Sequence, residues 1–214
     1  MAKKLNTNSN TYIIIYSVVL VVIVAFALAF VYSGLKEKQD ANVALDVKKQ
    51  VLASLHIRQF SSDAEAESVY ASTVLSTDTV NAEQQAIIYT CKTEGQTKYV
   101  LSVSGMGLWG PIWGYIALND DKQTVYGAYF NHASETAGLG AEIKDSKAWQ
   151  DLFKGKQAVI DGKVVLSVKK ATDIKPEERA YCVDGVTGST LTCNGVDMML
   201  KKSIALYSDF LNEK

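Results

Sequence analysis

Hydrophobic and polar positions divide the chain into two regimes. Residues 12 to 32, YIIIYSVVLVVIVAFALAFVY, run for 21 positions without a charge. At ~1.5 Å rise per residue, a helix of that length crosses about 30 Å of hydrocarbon. Over residues 34 to 57, apolar side chains recur at Val43, Leu45, Val47, Val51, Leu52 and Leu55, which predicts an amphipathic helix leaving a membrane. SSDAEAESVYAS predicts a second, short helix capped by Ser or Asp. The rhythm then shortens to β-type runs, QAIIYTC, KYVLSVS, GYIALN and TVYGAYF. Turn residues such as TEGQ and NDD separate them, the mark of antiparallel connections. SKAWQDLFKG reads as a helix with a Ser start and a Gly stop, and RAYCV as a further strand. AVIDGKVVLSVKK reads as a hairpin turning at Asp161-Gly162. The C-terminal segment places Val196, Met199, Leu200, Ile204, Tyr207, Phe210 and Leu211 on one helical face. That helix begins either near Thr190 or after Asn194-Gly195; the pattern leaves both open.

The predicted class is α+β, an antiparallel sheet with packed helices, preceded by a single transmembrane helix. The expected divisions are a tail over 1–11, an anchor over 12–33 and a soluble domain over 34–214. The part beyond the anchor is long enough for one domain with a substantial core.

Charge narrows the choices. With 22 basic and 23 acidic side chains, the chain lacks the basic excess of a nucleic-acid binder. Lys3, Lys4 and the ALA near the end of the apolar run resemble a signal peptide, but signal h-regions span only about 7–15 residues. A retained anchor is therefore expected, with Tyr12, Tyr16 and Tyr32 near the interfaces. Lys3 and Lys4 flank one end; Lys36 and Lys38, beside Glu37 and Asp40, flank the other, so charge does not set the orientation. The three cysteines (Cys91, Cys182, Cys193) form no CxxC, and only His56 and His132 are available to join them. Buried or half-buried thiols are expected rather than a zinc site.

Three loops carry the candidate chemistry. GMGLWG, residues 105 to 110, fits G-x-G-x-x-G, but that dinucleotide fingerprint needs a helix to follow. Pro111 and the strand-like IWGYIALN follow instead, which removes it. What remains is a glycine loop presenting Leu108 and Trp109, flanked by Trp113: either an aromatic-ligand platform or the core of a hairpin. In NHASETAGLGAE, residues 131 to 142, Gly138 and Gly140 bracket Leu139 behind Glu135 and Thr136. CVDGVTGSTLTCNG, residues 182 to 195, packs the hydroxyls of Thr187, Ser189, Thr190 and Thr192 among glycines. Ordinary turns use such residues too, but a loop that approaches a phosphate needs them.

Taken in order, GMGLWGPIWG, HASETAGLGAE and DGVTGSTLT resemble the covalent FMN-binding domain of the C subunit of the sodium-translocating NADH:quinone reductases. A single N-terminal anchor precedes the domain there too, so the resemblance covers essentially the whole chain. The family's attachment signature is an acid followed by Ser/Thr-Gly-Ala/Ser-Thr, matched here by Asp184 and Thr187-Gly188-Ser189-Thr190. Two departures stand out: Ala137 where the family usually has Pro, and Ser189 where Ala is commoner.

The resemblance implies an electron-carrying component of a membrane translocase that passes electrons from NADH to quinone. Its FMN would be joined through the phosphate to the Thr190 hydroxyl by a separate flavin transferase. The other reductase subunits and membrane lipid are the implied partners, and the domain would face the periplasm from a bacterial inner membrane. Leu108, Trp109, Thr136 and Leu139 would surround the flavin ring, with Glu135, Gly138, Thr187, Gly188, Ser189, Leu191 and Thr192 completing the site and Lys169 as a polar contact. No catalytic side chain or metal ligand is implied, because no Ser-His-Asp arrangement is visible and the flavin carries the chemistry. Two alternatives remain at this point. The G subunit of the related ferredoxin-linked Rnf complex shares the attachment and His-x-x-Glu-Thr loops, and a membrane-anchored binding module without redox activity would use the same surface.

Overall fold

A computed structural model of the chain describes residues 7–213, so Lys3 and Lys4 lie outside the described residues. The chain forms two compact units that divide between Asp46 and Val47. The first consists mainly of helix α1 (Asn10–Ser54), which continues into the second. Among the described residues, α1 is the one helix long and apolar enough to cross a membrane, by length and composition. The two helical patterns read from the sequence are therefore one continuous helix. No proline interrupts it, and the single Gly34 costs only about 1 kcal/mol. An i,i+4 pair, Lys36 with Asp40 at 3.4 Å, supports the exposed stretch.

The second unit is built on a five-stranded antiparallel meander of β1 (Val74–Asn81), β2 (Ala86–Thr93), β3 (Gln96–Met106), β4 (Pro111–Leu118) and β5 (Val125–His132), in chain order. Four of these were legible in the pattern. Strand β1 was not: VLSTDTVN is polar, pairs only with β2 and is exposed along nearly its whole length. An edge strand with no face to bury has no reason to alternate. Helix α2 (Asp63–Thr73) starts as expected, with the Ser62 hydroxyl accepting the Glu65 amide at 3.2 Å.

Both faces of the sheet are covered. On one, Leu101, Val103, Ile116 and Phe130 pack with Val196, Met199, Leu200 and Ile204 of helix α5 (Thr190–Ala205). On the other, Tyr89, Cys91, Val100 and Tyr115 receive Val51 and Leu55 from the end of α1 and the turn after it. The inner strand β4 is buried on both sides, which is why GYIAL is a continuous apolar run.

The remaining elements set up the site. A short α3 (Glu142–Asp145), absent from the sequence reading, precedes α4 (Lys147–Asp151), whose Ser146 cap accepts the Trp149 amide at 3.2 Å. The hairpin of β6 (Val159–Ile160) and β7 (Lys163–Val164) turns at Asp161 and Gly162, whose φ angles of 51° and 73° are the two positive values a type I′ turn requires. The antiparallel expectation fails at one place. Strands β8 (Ser167–Lys169) and β9 (Cys182–Asp184) pair in parallel, because two 3₁₀ turns between them carry the chain back to its starting side. Asp197 of α5 fastens this pair, accepting the Ser167 hydroxyl at 2.6 Å and the Val168 amide at 3.1 Å. The C-terminal helix is also divided. After α5 ends at Ala205, Tyr207 donates its buried hydroxyl to the Ser102 carbonyl at 2.7 Å, and α6 (Ser208–Asn212) follows.

The three thiols are free and buried. Burial pushes Cys91 up to about 12, and Tyr89 beside it to about 12 as well. Unfolded Cys and Tyr titrate near ~8.5 and ~10. The unfolded chain thus loses these protons first, and the stability they contribute, complete below ~8.5, is lost as pH rises toward 12. Melting temperature is expected to fall through this alkaline range. Cys91→Ala should flatten the part that begins near ~8.5; a melting profile unchanged by that substitution would remove the thiol as its cause.

Candidate functional site

Three segments meet at the N-terminus of α5. Residues 107–110 link β3 to β4, residues 133–141 follow β5, and residues 185–189 lead into the helix. Strand β4 begins at Pro111 directly after the first loop, and Gly107 donates its amide to the Gly110 carbonyl at 2.8 Å, closing a tight turn. GMGLWG therefore opens no helix and forms no dinucleotide site.

Thr190 is the first residue of α5 and is exposed. This decides the open question of the helix start. Gly195 lies inside the helix for a packing reason: a Cβ there would run into the Met106 carbonyl and Cα of Gly107, so its absence lets α5 lie directly on the first loop. At Gly188 the backbone takes φ +78°, a left-handed conformation that L side chains rarely adopt, and turns the chain into the helix. Ser189 occupies the N-cap position, but its side chain does not cap, and the first turn carries no acidic residue. Its hydroxyl is buried without a hydrogen-bond partner. The first-turn N–H groups of a 16-residue helix thus lack a side-chain cap and present the positive end of its dipole.

Two cavities share Gly188 and Thr190. The smaller, about 170 Å³, is walled by Leu108 of the first loop, by Glu135, Thr136 and Leu139 of the second, and by Ser189, Leu191 and Thr192 of the third. Residues distant in sequence and expected to act together are therefore brought together. Leu108, Trp109, Leu139 and Leu191 are 45%, 66%, 44% and 60% exposed. They are not the core of a hairpin but an apolar rim facing solvent. Gly138 lies on the same loop with φ +72°, and Thr187 is exposed beside Gly188. Trp113 departs from the platform reading. It is half-buried on the opposite face of the sheet, its indole N–H donating to Gln50 of α1 at 2.9 Å. Alternation along β4 sends it away from Trp109.

The larger cavity, about 400 Å³, lies against the parallel pair β8–β9. Lys169 lines it, rather than the smaller one with the apolar rim, and its ammonium is bonded to Glu178 at 2.7 Å. That bond holds Lys169 above the usual lysine value and Glu178 below the usual carboxylate value. Asp184, Val186 and Asn194 are among the other residues of this wall, and the sequence reading did not select Val186 or Asn194. Both lie within the 182–195 loop, but neither carries a hydroxyl or a glycine backbone, the features that drew attention to it.

Glu135 is buried, and both of its oxygens are used. Oε1 accepts the Trp109 amide at 2.9 Å, and Oε2 accepts the Thr192 hydroxyl at 2.6 Å. A carboxylate of the second loop thus ties the first loop to the start of α5. Ser134 adds a hydroxyl bond to the Trp109 carbonyl at 2.9 Å. The Glu135 amide donates to His132 Nδ1 at 3.1 Å.

Residues 107–205, the span that holds all three loops, match the family of FMN-binding domains. The crystal structure of the C subunit of Na(+)-translocating NADH-quinone reductase from Parabacteroides distasonis superposes with a TM-score of 0.75 at 35% identity, covering 84% of this chain and 98% of that one. The chain belongs to the C-subunit family of Na(+)-translocating NADH-quinone reductase.

Curated members of the family match about half of the chain. The C subunit of the Chlamydia trachomatis reductase is 39% identical over 127 residues, 52% of this chain and 40% of that protein. Its counterpart from Pseudomonas aeruginosa is 37% identical over 122 residues, 55% of this chain and 46% of that one. The matched segments thus span less than half the length of these relatives.

Proposed function

We propose that this chain is the FMN-carrying subunit of a sodium-translocating NADH:quinone reductase, with FMN esterified through its phosphate to the Thr190 hydroxyl. The observation that carries the reading is the place of Thr190. It stands exposed at the uncapped N-terminus of α5, where two cavities meet beside a solvent-facing apolar rim. The residues present fit such a group. An uncapped helix start suits a phosphate, an unpartnered Ser189 hydroxyl is available to it, and Leu108, Trp109 and Leu139 offer exposed apolar surface for a flat ring.

In this reading, Thr190 holds the phosphate covalently. The first-turn amides of α5 and the hydroxyls of Thr187 and Ser189 bond its oxygens. The rim residues Leu108, Trp109 and Leu139 would pack against the ring and exclude water there. The flavin, when bound, supplies the electron transfer; the chain supplies position and electrostatics. In this reading the chain supplies the hydroxyl, and its activation falls to a separate enzyme. A separate flavin transferase using FAD and a divalent metal would make the ester. In that transfer the Thr190 oxygen would bond to the FMN phosphorus as the pyrophosphate bond of FAD breaks, AMP would leave, and the hydroxyl proton would go to the transferase or solvent.

The apolar run of α1 would hold the protein in a bacterial inner membrane among lipid and the other reductase subunits, with the FMN domain on the periplasmic side. A tether suits that compartment, where free FMN to rebind is scarce. The test is an intact mass spectrum of the protein co-expressed with its transferase. The expected result is the apoprotein mass plus one FMN less one water. An unmodified mass with active transferase present would overturn the reading.

Leu139→Ala and Trp109→Ala probe the ring. Each removes apolar contact worth roughly 1.5–3 kcal/mol if the flavin buries the side chain fully. Because both are exposed without it, the flavin-free fold should melt almost as before. Covalent flavin content should be full while flavin absorbance and potential shift. Lost stability with an unchanged flavin spectrum would assign these side chains to the fold alone.

A further inference from the structure

The rim and the attachment point are held together by a charge that need not touch the cofactor. Glu135 is 7% exposed, and no lysine, arginine or histidine forms an ion pair with it among the described residues. A carboxylate buried at this depth is costly unless hydrogen-bonded. Its two bonds run to a backbone amide in one loop and a hydroxyl in another, so neither partner neutralises it. The neighbouring glycines make room for it. A Cβ on Gly107 would strike Oε1, and one on Gly140 would strike Oε2 and the Thr192 hydroxyl. Three loops are thus shaped around one carboxylate, which stands in the wall of the cavity beside Thr190.

We propose that Glu135 is a positioning residue for the flavin. It aligns the Trp109 loop and the Thr192 turn of α5 around Thr190, and its buried charge lowers the reduction potential of the group bound there. This rests on the FMN reading above. Position and charge are separable on chemical grounds. A glutamine keeps the shape: its carbonyl oxygen accepts the Trp109 amide, and its NH₂ donates to the Thr192 oxygen once that hydroxyl turns. It removes only the charge. An alanine removes both and leaves the Trp109 amide and the Thr192 hydroxyl without their partner. A negative charge in a water-poor wall disfavours the addition of electrons nearby, and the low local dielectric strengthens that effect.

The experiment uses the full-length chain in detergent, co-expressed with the flavin transferase. Covalent flavin is measured by mass, the absorbance spectrum on the folded protein, and the potential by redox titration. With Glu135→Gln, the expected result is wild-type flavin content and spectrum together with a potential displaced upward. With Glu135→Ala, the upward displacement should persist, the flavin absorbance should shift, and attachment at limiting transferase should slow several-fold. A Glu135→Gln potential equal to wild type would overturn the electrostatic half. A Glu135→Ala protein that melts earlier yet keeps wild-type spectrum and attachment rate would overturn the positioning half, leaving a structural pin. A wild-type chain that carries no covalent flavin would instead refute the FMN reading itself, which keeps the two failures distinguishable.

Discussion

In Thr190→Val, covalent flavin is expected to vanish while the fold survives. Valine keeps the size and β-branching of threonine and removes only the hydroxyl. Thr190 is exposed at the first helical position, where a substitution of this kind shifts stability by no more than about 0.5 kcal/mol. The loss of flavin should therefore be complete and should come without unfolding. The neighbours serve as controls with different physics. Thr187 is exposed, so Thr187→Val should reduce attachment without abolishing it. Thr192 is 2% exposed and donates to Glu135, so Thr192→Val leaves a buried carboxylate oxygen unpaired, at a cost of about 1–3 kcal/mol. It should loosen the site while leaving the ester in place. Flavin fluorescence on a denaturing gel reads all three. A fluorescent band from Thr190→Val would sink the assignment.

Removal of residues 1–33 is expected to leave a soluble, folded domain, whereas removal through residue 57 should not. The first cut takes only residues that belong to the first unit. The second takes Val51 and Leu55, which are 0% and 1% exposed, and bares Tyr89, Val100 and Tyr115 on that face of the sheet. Leu55→Ala in the shorter truncation isolates the effect and should cost about 2–5 kcal/mol in urea denaturation. Aggregation of the 34–214 protein with no near-UV circular dichroism would refute a separable domain. An unchanged urea midpoint for Leu55→Ala would show that the turn after α1 does not help cap the sheet.

The sequence pattern located most of the fold because most of it is locally encoded. Strands β2 to β5 announce themselves through β-branched and aromatic runs bounded by turn residues, and Ser62, Ser146 and Asp161-Gly162 mark helix caps and a hairpin turn by side-chain chemistry that needs no tertiary help. Strand β1 escaped because an exposed edge carries no hydrophobic signal. The division between α5 and α6 escaped because Tyr207 continues the apolar face even though its hydroxyl is drawn into the sheet.

Sequence alone also located the candidate chemistry: an apolar run long enough to span a membrane, a hydroxyl-rich glycine loop at Thr187–Thr190 that resembles the family's attachment signature, and two glycine loops with apolar residues between them. Tertiary structure decided what those pieces do to one another. It placed the parallel pair β8–β9 beside Thr190, set Lys169 in a different cavity from the apolar rim, and turned Trp113 to the far face of the sheet. It also gave Glu135 two partners, one 26 and the other 57 positions away along the chain. Periodicity and motif report the preferences of neighbouring residues. Convergence of distant loops depends on how strands stack and where a buried charge finds donors, and no local pattern records that.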